Sequence, residues 1–159
     1  MIVDDIPHVA SLDQAISFHP WSLAMFQEEL TLGSYCRVAV ATTDGIEGYL
    51  LARLLWDEWH LLAVGVAPEK RGLGLARTLM TDWLNHTLTT PSRTAFLEVG
   101  TSNRAAEHLY LSLGFIPIGR RKNYYSGPLG NEDAIVMARP IQRIGSLHDT
   151  PQNPTSIPF

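Results

Sequence analysis

One short segment constrains this chain more than any other. An apolar run at residues 61–66 passes through Pro68 and the turn Glu69-Lys70-Arg71-Gly72-Leu73-Gly74 into Leu75-Ala76-Arg77-Thr78-Leu79-Met80. The run reads as a strand, and Leu75, Leu79 and Trp83 recur at helical spacing, so the segment is a strand, a tight turn and an amphipathic helix. A helix start leaves its first backbone N–H groups without intrahelical partners, all pointing one way. Gly72 and Gly74 remove side chains that would obstruct a close approach, and the helix dipole favours negative charge there. The ligand class that suits such a turn is a phosphate or pyrophosphate. No Gly-Lys-Ser/Thr follows, which excludes a P-loop, and the three-glycine dinucleotide fingerprint is absent.

Around this segment, the 159 residues are enough for one domain with a proper core. Apolar residues make up 45% and charged residues 18%, the composition of an ordinary globular protein. The net charge of −4 argues against nonspecific nucleic-acid binding, so no nucleic-acid partner is expected. The single cysteine, Cys36, lies in an apolar run and cannot form an internal disulfide; it is expected as a packed core thiol in a reducing compartment. The first residues lack the basic and long apolar regions of a signal peptide, and no apolar run approaches the ~20 residues that span a bilayer. A cytoplasmic location without a membrane partner is therefore expected.

Val9, Leu12 and Ile16 predict a first helix over residues 7–17, which His19-Pro20 breaks. Ser22 is the expected N-cap of a second helix ending at Gly33. Residues 35–42 and 46–55 are β-prone runs joined across Asp44-Gly45, a hairpin signal, and residues 59–66 make the third strand of the meander. A long helix over residues 73–88, a buried strand over 94–99, a helix over 103–113 closed by Gly114, and a strand pair from Phe115 to about Arg139 complete the reading. From Gln142 the chain is polar and carries Pro151, Pro154 and Pro158, so residues 142–159 are expected to be a disordered tail on a domain of residues 1–141. Strands and helices in this order imply an α/β domain, a mixed sheet covered by helices on both faces.

Arg71-x-x-Gly74-x-Ala76 resembles the coenzyme A pyrophosphate loop of the GNAT acetyltransferase superfamily. Phe96-Leu97-Glu98-Val99, Asn103, and Leu109-Tyr110-x-x-x-Gly114-Phe115 match the other main segment of that superfamily at matching spacing. The resemblance implies the GNAT fold, with a mixed, mostly antiparallel sheet and the element order β, α, α, β, β, β, α, β, α, β, β. Narrower likenesses at both ends, Pro20-Trp21-Ser22 with Phe26 and Arg120-Arg121-Lys122-Asn123-Tyr124-Tyr125 followed by Glu132-Asp133, resemble the RimI branch. Those bacterial enzymes acetylate the N-terminal alanine of the eighteenth small-subunit ribosomal protein. Arg71 stands where glutamine is frequent in the family and Ala76 where glycine is frequent; the general motif allows both.

What the resemblance implies is an acetyl-CoA-dependent enzyme transferring acetyl directly to an N-terminal amine, with a ribosomal protein segment as its protein partner. A GNAT enzyme acting on a small amine, polyamine or lysine side chain is the alternative. Backbone groups of Val64, Gly65 and Val66 would pair with the pantetheine arm and the acetyl carbonyl. The turn Arg71, Gly72, Leu73, Gly74, Leu75, Ala76 and Arg77 would hold the pyrophosphate.

Glu98 lies among apolar neighbours, where a carboxylate is costly without a role or partner. By resemblance it is the base; otherwise it is a solvated glutamate at a sheet edge. Tyr110 falls on the helix face of Ala106 and Leu113, as a core aromatic would; by resemblance its phenol is the acid for the coenzyme thiolate. Asn103 reads as an N-cap, and by resemblance as a coenzyme contact, two compatible roles. Tyr124 and Tyr125 should point to opposite faces of a strand, so that at most one lines a groove beside Trp21. Arg120, Arg121 and Lys122 read as a solvated strand face. Glu132 and Asp133 are expected in the loop before the last strand, as turn residues or as acidic contacts for a cationic peptide. The six histidines show no metal-ligand spacing, so no metal is expected.

Overall fold

The computed structural model describes residues 1–41, 45–127 and 130–142. The described residues form four α-helices, α1 (Ile6–Ile16), α2 (Leu23–Thr31), α3 (Leu75–Thr87) and α4 (Arg104–Ser112), and six strands. The strands are β1 (Tyr35–Ala41), β2 (Gly45–Leu55), β3 (Glu58–Val66), β4 (Thr94–Gly100), β5 (Ile116–Gly127) and β6 (Gly130–Pro140). Asp44 of the expected Asp44-Gly45 hairpin signal and all but the first residue of the expected tail lie outside the described residues.

Local chemistry sets the helix ends. The Ser22 hydroxyl accepts from the Met25 N–H at 3.3 Å and starts α2. Beyond it, Gly33 leaves the helix at φ +75°, a conformation open to glycine. The Asn103 carboxamide accepts from the Ala106 N–H at 3.2 Å and starts α4. The strand expected ahead of the first helix is absent. Val3–Asp5 instead forms a 3₁₀ turn, because the Asp5 carboxylate accepts the Ile2 N–H at 2.7 Å and aspartate favours such local bonds over a ladder.

The sheet runs β1-β2-β3-β4-β6-β5, with β3 and β4 parallel and every other neighbour pair antiparallel. Alternation along β2 sends Leu50 and Ala52 to one face and Tyr49 and Leu51 to the other. On the first face they join Leu79, Met80 and Trp83 of α3 and Tyr110 of α4; on the second, Ile6 and Val9 of α1 and Phe26 of α2. Helices thus cover both faces, and each large side chain fully buried between the layers contributes about 1.5–3 kcal/mol.

Two acids are buried with partners, Asp13 and Glu29. Asp13 accepts the Tyr49 hydroxyl at 2.5 Å and the Trp21 N–H at 2.7 Å, so it ties the α1–α2 loop to the sheet. Glu29 is ion-paired with Arg53 and accepts the Ser34 hydroxyl at 2.6 Å. Removing one partner of such a buried charge costs about 3–5 kcal/mol.

The junction of β3 and β4 positions the site. Only Glu58, Trp59 and His60 pair across it, with Thr94, Ala95 and Phe96, although β3 continues to Val66 and β4 to Gly100. Beyond His60 each strand keeps its other neighbour, β2 or β6, and the two part. A cleft bordered by main-chain edges results.

Candidate active site

One wall of the cleft is the C-terminal half of β3. Val64 and Val66 pack on the α3 side of the sheet, whereas Gly65 faces α1. A Cβ at Gly65 would lie 2.5 Å from the Tyr49 ring and 2.6 Å from Ile16 Cδ1, so close packing of α1 explains the missing side chain. With the side chains committed to the two layers, the main chain of residues 64–66 forms the cleft edge.

The chain then turns through Pro68–Lys70, pinned by a Lys70–Glu47 ion pair of 2.5 Å and by the Arg71 guanidinium donating to the Val66 carbonyl at 3.3 Å. Gly72 and Gly74 adopt φ +77° and +83°, and a Cβ at either would meet nothing within 4 Å. These glycines serve backbone conformation and open approach, unlike Gly65. Gly74 is the N-cap of α3 and supplies no side-chain cap; the first ladder bond is Thr78 N–H to the Gly74 carbonyl, 3.0 Å. The N–H groups of Leu75, Ala76 and Arg77 therefore start the helix without a protein acceptor from the ladder or a cap, the arrangement that receives an anion. Leu73 projects into solvent, 71% exposed, and Ala76 is half-buried. Arg77 reaches α4 instead, donating to the Ser112 hydroxyl at 2.8 Å.

The opposite wall carries the titratable groups. On β4, Leu97 and Val99 face the α3–α4 core, which turns Glu98 the other way. Its surroundings are not the apolar ones its strand neighbours suggest. Arg121 Nη1 lies 3.0 Å from Glu98 Oε1, neighbouring Glu98 is the largest cause holding the Tyr124 hydroxyl above its usual 10.0, and the Glu98 side chain keeps 24% exposure. Cross-strand residues, invisible in the local run, supply this polar shell.

Tyr110 of α4 is buried, its ring 6.2 Å from Phe115. Burial first, and then neighbouring Tyr125, push its hydroxyl far above the usual 10.0, so it holds its proton at any ordinary pH. Tyr125 in turn is pushed up to about 12 by burial and then by the charge of Glu98. It is the electrostatic neighbour of both Tyr110 and Glu98.

Tyr124 and Tyr125 do not point to opposite faces: their rings meet edge to face at 5.0 Å. The β5–β6 register jumps between Arg121 and Tyr125, four positions on β5 against two on β6, and Asn123 sits at φ +53°. This bulge breaks the alternation on which the expectation relied. Asp133 causes it to hold, accepting the Asn123 N–H at 2.9 Å and pairing with Arg120 at 3.5 Å.

Glu132 and Asp133 also lie within β6 rather than in a preceding loop. Glu132 accepts from the Ser102 N–H and from the Thr101 hydroxyl at 3.2 Å, which fixes the turn between β4 and α4. The Ser102 backbone bond is the largest cause holding its carboxyl below the usual 4.5. Asn103 caps α4 as expected, and Trp21 is half-buried with its ring 5.6 Å from Phe26. Arg121 is the residue that sequence reasoning missed; its charge run looks solvated, and cross-strand register, Arg121 opposite Ala134 and Glu98 opposite Val136, brings the two together.

Among the described residues no group of three or more histidine, cysteine or acidic side chains could hold a metal ion, and no helix is long and apolar enough to cross a membrane.

Similarity to known proteins follows the same geometry. The chain is 33% identical over 141 residues to the ribosomal protein bS18-alanine N-acetyltransferase of Salmonella typhimurium, covering 86% of this chain and 92% of the relative. It is 32% identical over 137 residues to the enzyme of that name from Escherichia coli K12, covering 86% and 92%. The crystal structure of the ribosomal-protein-S18-alanine N-acetyltransferase from Escherichia coli superposes with a TM-score of 0.85 at 30% identity, covering 92% of this chain and 94% of that one. The family model for the acetyltransferase (GNAT) family matches residues 6–115, a span that takes in the parted β3–β4 junction, the α3 start, Glu98 and Tyr110. With two glycines opening an uncapped helix start beside that junction, the chain belongs to the acetyltransferase (GNAT) family.

Proposed function

We propose that this protein is an acetyl-CoA-dependent N-acetyltransferase that modifies the N-terminal alanine of ribosomal protein bS18. The observation that carries the reading is the parted β3–β4 junction, with an anion-receptive helix start following β3, Glu98 on β4 and Tyr110 on the helix after it. The bS18-alanine N-acetyltransferase names of the relatives supply the acceptor.

The residues present fit acetyl-CoA. The main chain of Val64, Gly65 and Val66 offers a strand edge to the pantetheine amides. The turn from Arg71 to Arg77 offers N–H donors to the pyrophosphate, and Asn103 stands at the start of α4 as a further polar contact. Acetyl-CoA supplies an activated thioester. Glu98 takes the proton that the α-ammonium must lose before its nitrogen can attack. Tyr110 keeps its own proton for the departing sulfur, and its burial beside Tyr125 suits an acid that must stay protonated. Trp21, Tyr124 and Tyr125 line the acceptor's approach, while Glu132 and Asp133 hold its walls and keep the rim negative for a cationic peptide. The buried free thiol of Cys36 accords with a cytoplasmic location. The catalytic domain is residues 1–141.

The test is incubation with acetyl-CoA and three peptides: one with the N-terminus of bS18, one starting with methionine, and one with a blocked N-terminus and an internal lysine. Mass spectrometry should find the bS18 peptide acetylated on its α-amine and the others much less. Preferential acetylation of the internal lysine, or of spermidine added in competition, would refute the proposal.

A further inference from the structure

We infer that the Arg121 guanidinium is a resident counter-ion, occupying in the acceptor-free protein the cation position between Glu98 and Tyr124 that the acceptor's ammonium takes over. The inference rests on the reading of Glu98 as the base.

Two groups that favour a cation converge there. They are the Glu98 carboxylate, 3.0 Å from Arg121 Nη1, and the Tyr124 ring, whose centroid is 5.2 Å from the guanidinium carbon and against which Tyr125 packs edge to face. A carboxylate beside aromatic faces recognises an ammonium by the same physics that holds the guanidinium.

The present occupant is easily displaced. Arg121 makes one N–O contact with Glu98 rather than a bidentate pair, and its side chain is 56% exposed. Such an ion pair is worth little against water. Arg121 also stands where the β5 ladder is interrupted, the next paired residue being Tyr125, so backbone pairing does not fix the segment that follows it. Arg120 is no substitute, because its guanidinium is engaged by Asp133 on the same bulge. The pair must open for the chemistry: the acceptor's nitrogen can hand its proton to Glu98 only from the position that the guanidinium holds. An arriving ammonium compensates the lost contact and brings the proton to be transferred. A neutral or acidic chain end compensates nothing, so the pair acts as a selectivity filter for cationic acceptors.

The experiment measures binding without turnover. Coenzyme A replaces acetyl-CoA, and calorimetry follows a short peptide beginning with alanine and its N-acetylated form, which lacks the ammonium. Arg121→Gln should tighten the free-amine peptide about two- to fivefold, the factor that an exposed ion pair is worth, and leave the acetylated peptide unchanged. Arg121→Lys keeps the charge and should keep the wild-type affinities. In a Glu98→Gln background, Arg121→Gln should change neither peptide. Unchanged or weaker binding of the free-amine peptide by Arg121→Gln, or equal tightening of both peptides, would overturn the inference. Full turnover by Glu98→Gln with acetyl-CoA would overturn the base assignment instead, a separate failure read in a separate assay.

Discussion

Gly65→Ala adds a single methyl group and should be among the most damaging small substitutions in the chain. Gly65 has no positive φ, so alanine meets no backbone penalty and sterics alone decide the outcome. The new Cβ would sit 2.5 Å from Tyr49 Cε1 and 2.6 Å from Ile16 Cδ1, where ordinary contact begins at 3.4 Å; Tyr49 must retreat by roughly 0.9 Å (3.4 − 2.5). Ile16 is the last residue of α1, and its side-chain end can swing aside. Tyr49 cannot: it is 2% exposed, and its hydroxyl is held at 2.5 Å by buried Asp13. Overpacking of this kind costs about 1–3 kcal/mol. Loosening a hydrogen bond to a buried charge costs about another 1–3. A combined loss of about 2–6 kcal/mol corresponds, at about 2–4 °C per kcal/mol, to a fall in Tm of roughly 4–24 °C for a chain of this length. Scanning calorimetry of wild type and variant at the same pH measures it. A fall under 2 °C would refute the reasoning, since the ring or α1 would then be free to move.

Gly74→Glu should weaken acetyl-CoA binding at least tenfold by calorimetry, about 1.4 kcal/mol: it places a like charge at an anion-receptive helix start and a side chain at φ +83°. Affinity within twofold of wild type in a folded variant would assign the turn another use. Tyr110→Phe keeps the ring packing and should lower the transfer rate roughly 10²-fold while acetyl-CoA still binds; a rate within twofold would leave Tyr110 as a core aromatic. Because the Tyr110 hydroxyl is raised above 10.0, its acid form persists as pH rises, and wild-type kcat/KM should show no alkaline limb from it below about pH 10. Glu132→Gln should lower Tm at pH 7. The carboxyl is depressed in the folded state, so its stabilisation is present above the unfolded value of 4.5 and lost as pH falls through the folded one. The Tm difference between wild type and variant should therefore close in acid, and a difference independent of pH would show that charge is not its origin.

What the sequence disclosed and what it withheld divide along a physical line. Ser22, Gly33, Asn103 and Gly114 were legible because a cap or a positive φ is settled within four residues. The turn of Gly72 and Gly74 was legible for the same reason, whereas Glu98 and Tyr110 were singled out by the family resemblance alone. The strand expected ahead of α1 failed locally, to the preference of Asp5 for its own backbone. The remaining differences are non-local. Tyr124 and Tyr125 meet because Asp133, ten positions beyond Asn123, holds the bulge that follows Arg121. Glu132 reads as a turn residue until its carboxylate is seen closing a turn thirty positions earlier, at Ser102. Arg121 belongs to a basic run like many solvated ones, and cross-strand register alone gives it a partner. Gly65 looks like part of a glycine-tolerant strand end, yet its neighbour is Ile16 on a helix that precedes it by almost fifty positions.

The parted junction has a kinetic side as well. The β1–β2–β3 ribbon is built from antiparallel neighbours in sequence, and β5–β6 is a hairpin. Each can form with short loop closures, whereas joining them through Trp59 and Ala95 requires a long one. Three residue pairs are all that this late closure adds to the ladder, so the seam between β3 and β4 is the natural boundary between two cooperative units. Amides facing the seam should exchange with solvent sooner than those of β2 or β6, which have a strand on each side. Any molecule that bridges the seam then acts as a fastener for the whole fold, and the opening proposed to receive the donor is also where the two halves of the sheet are least firmly one.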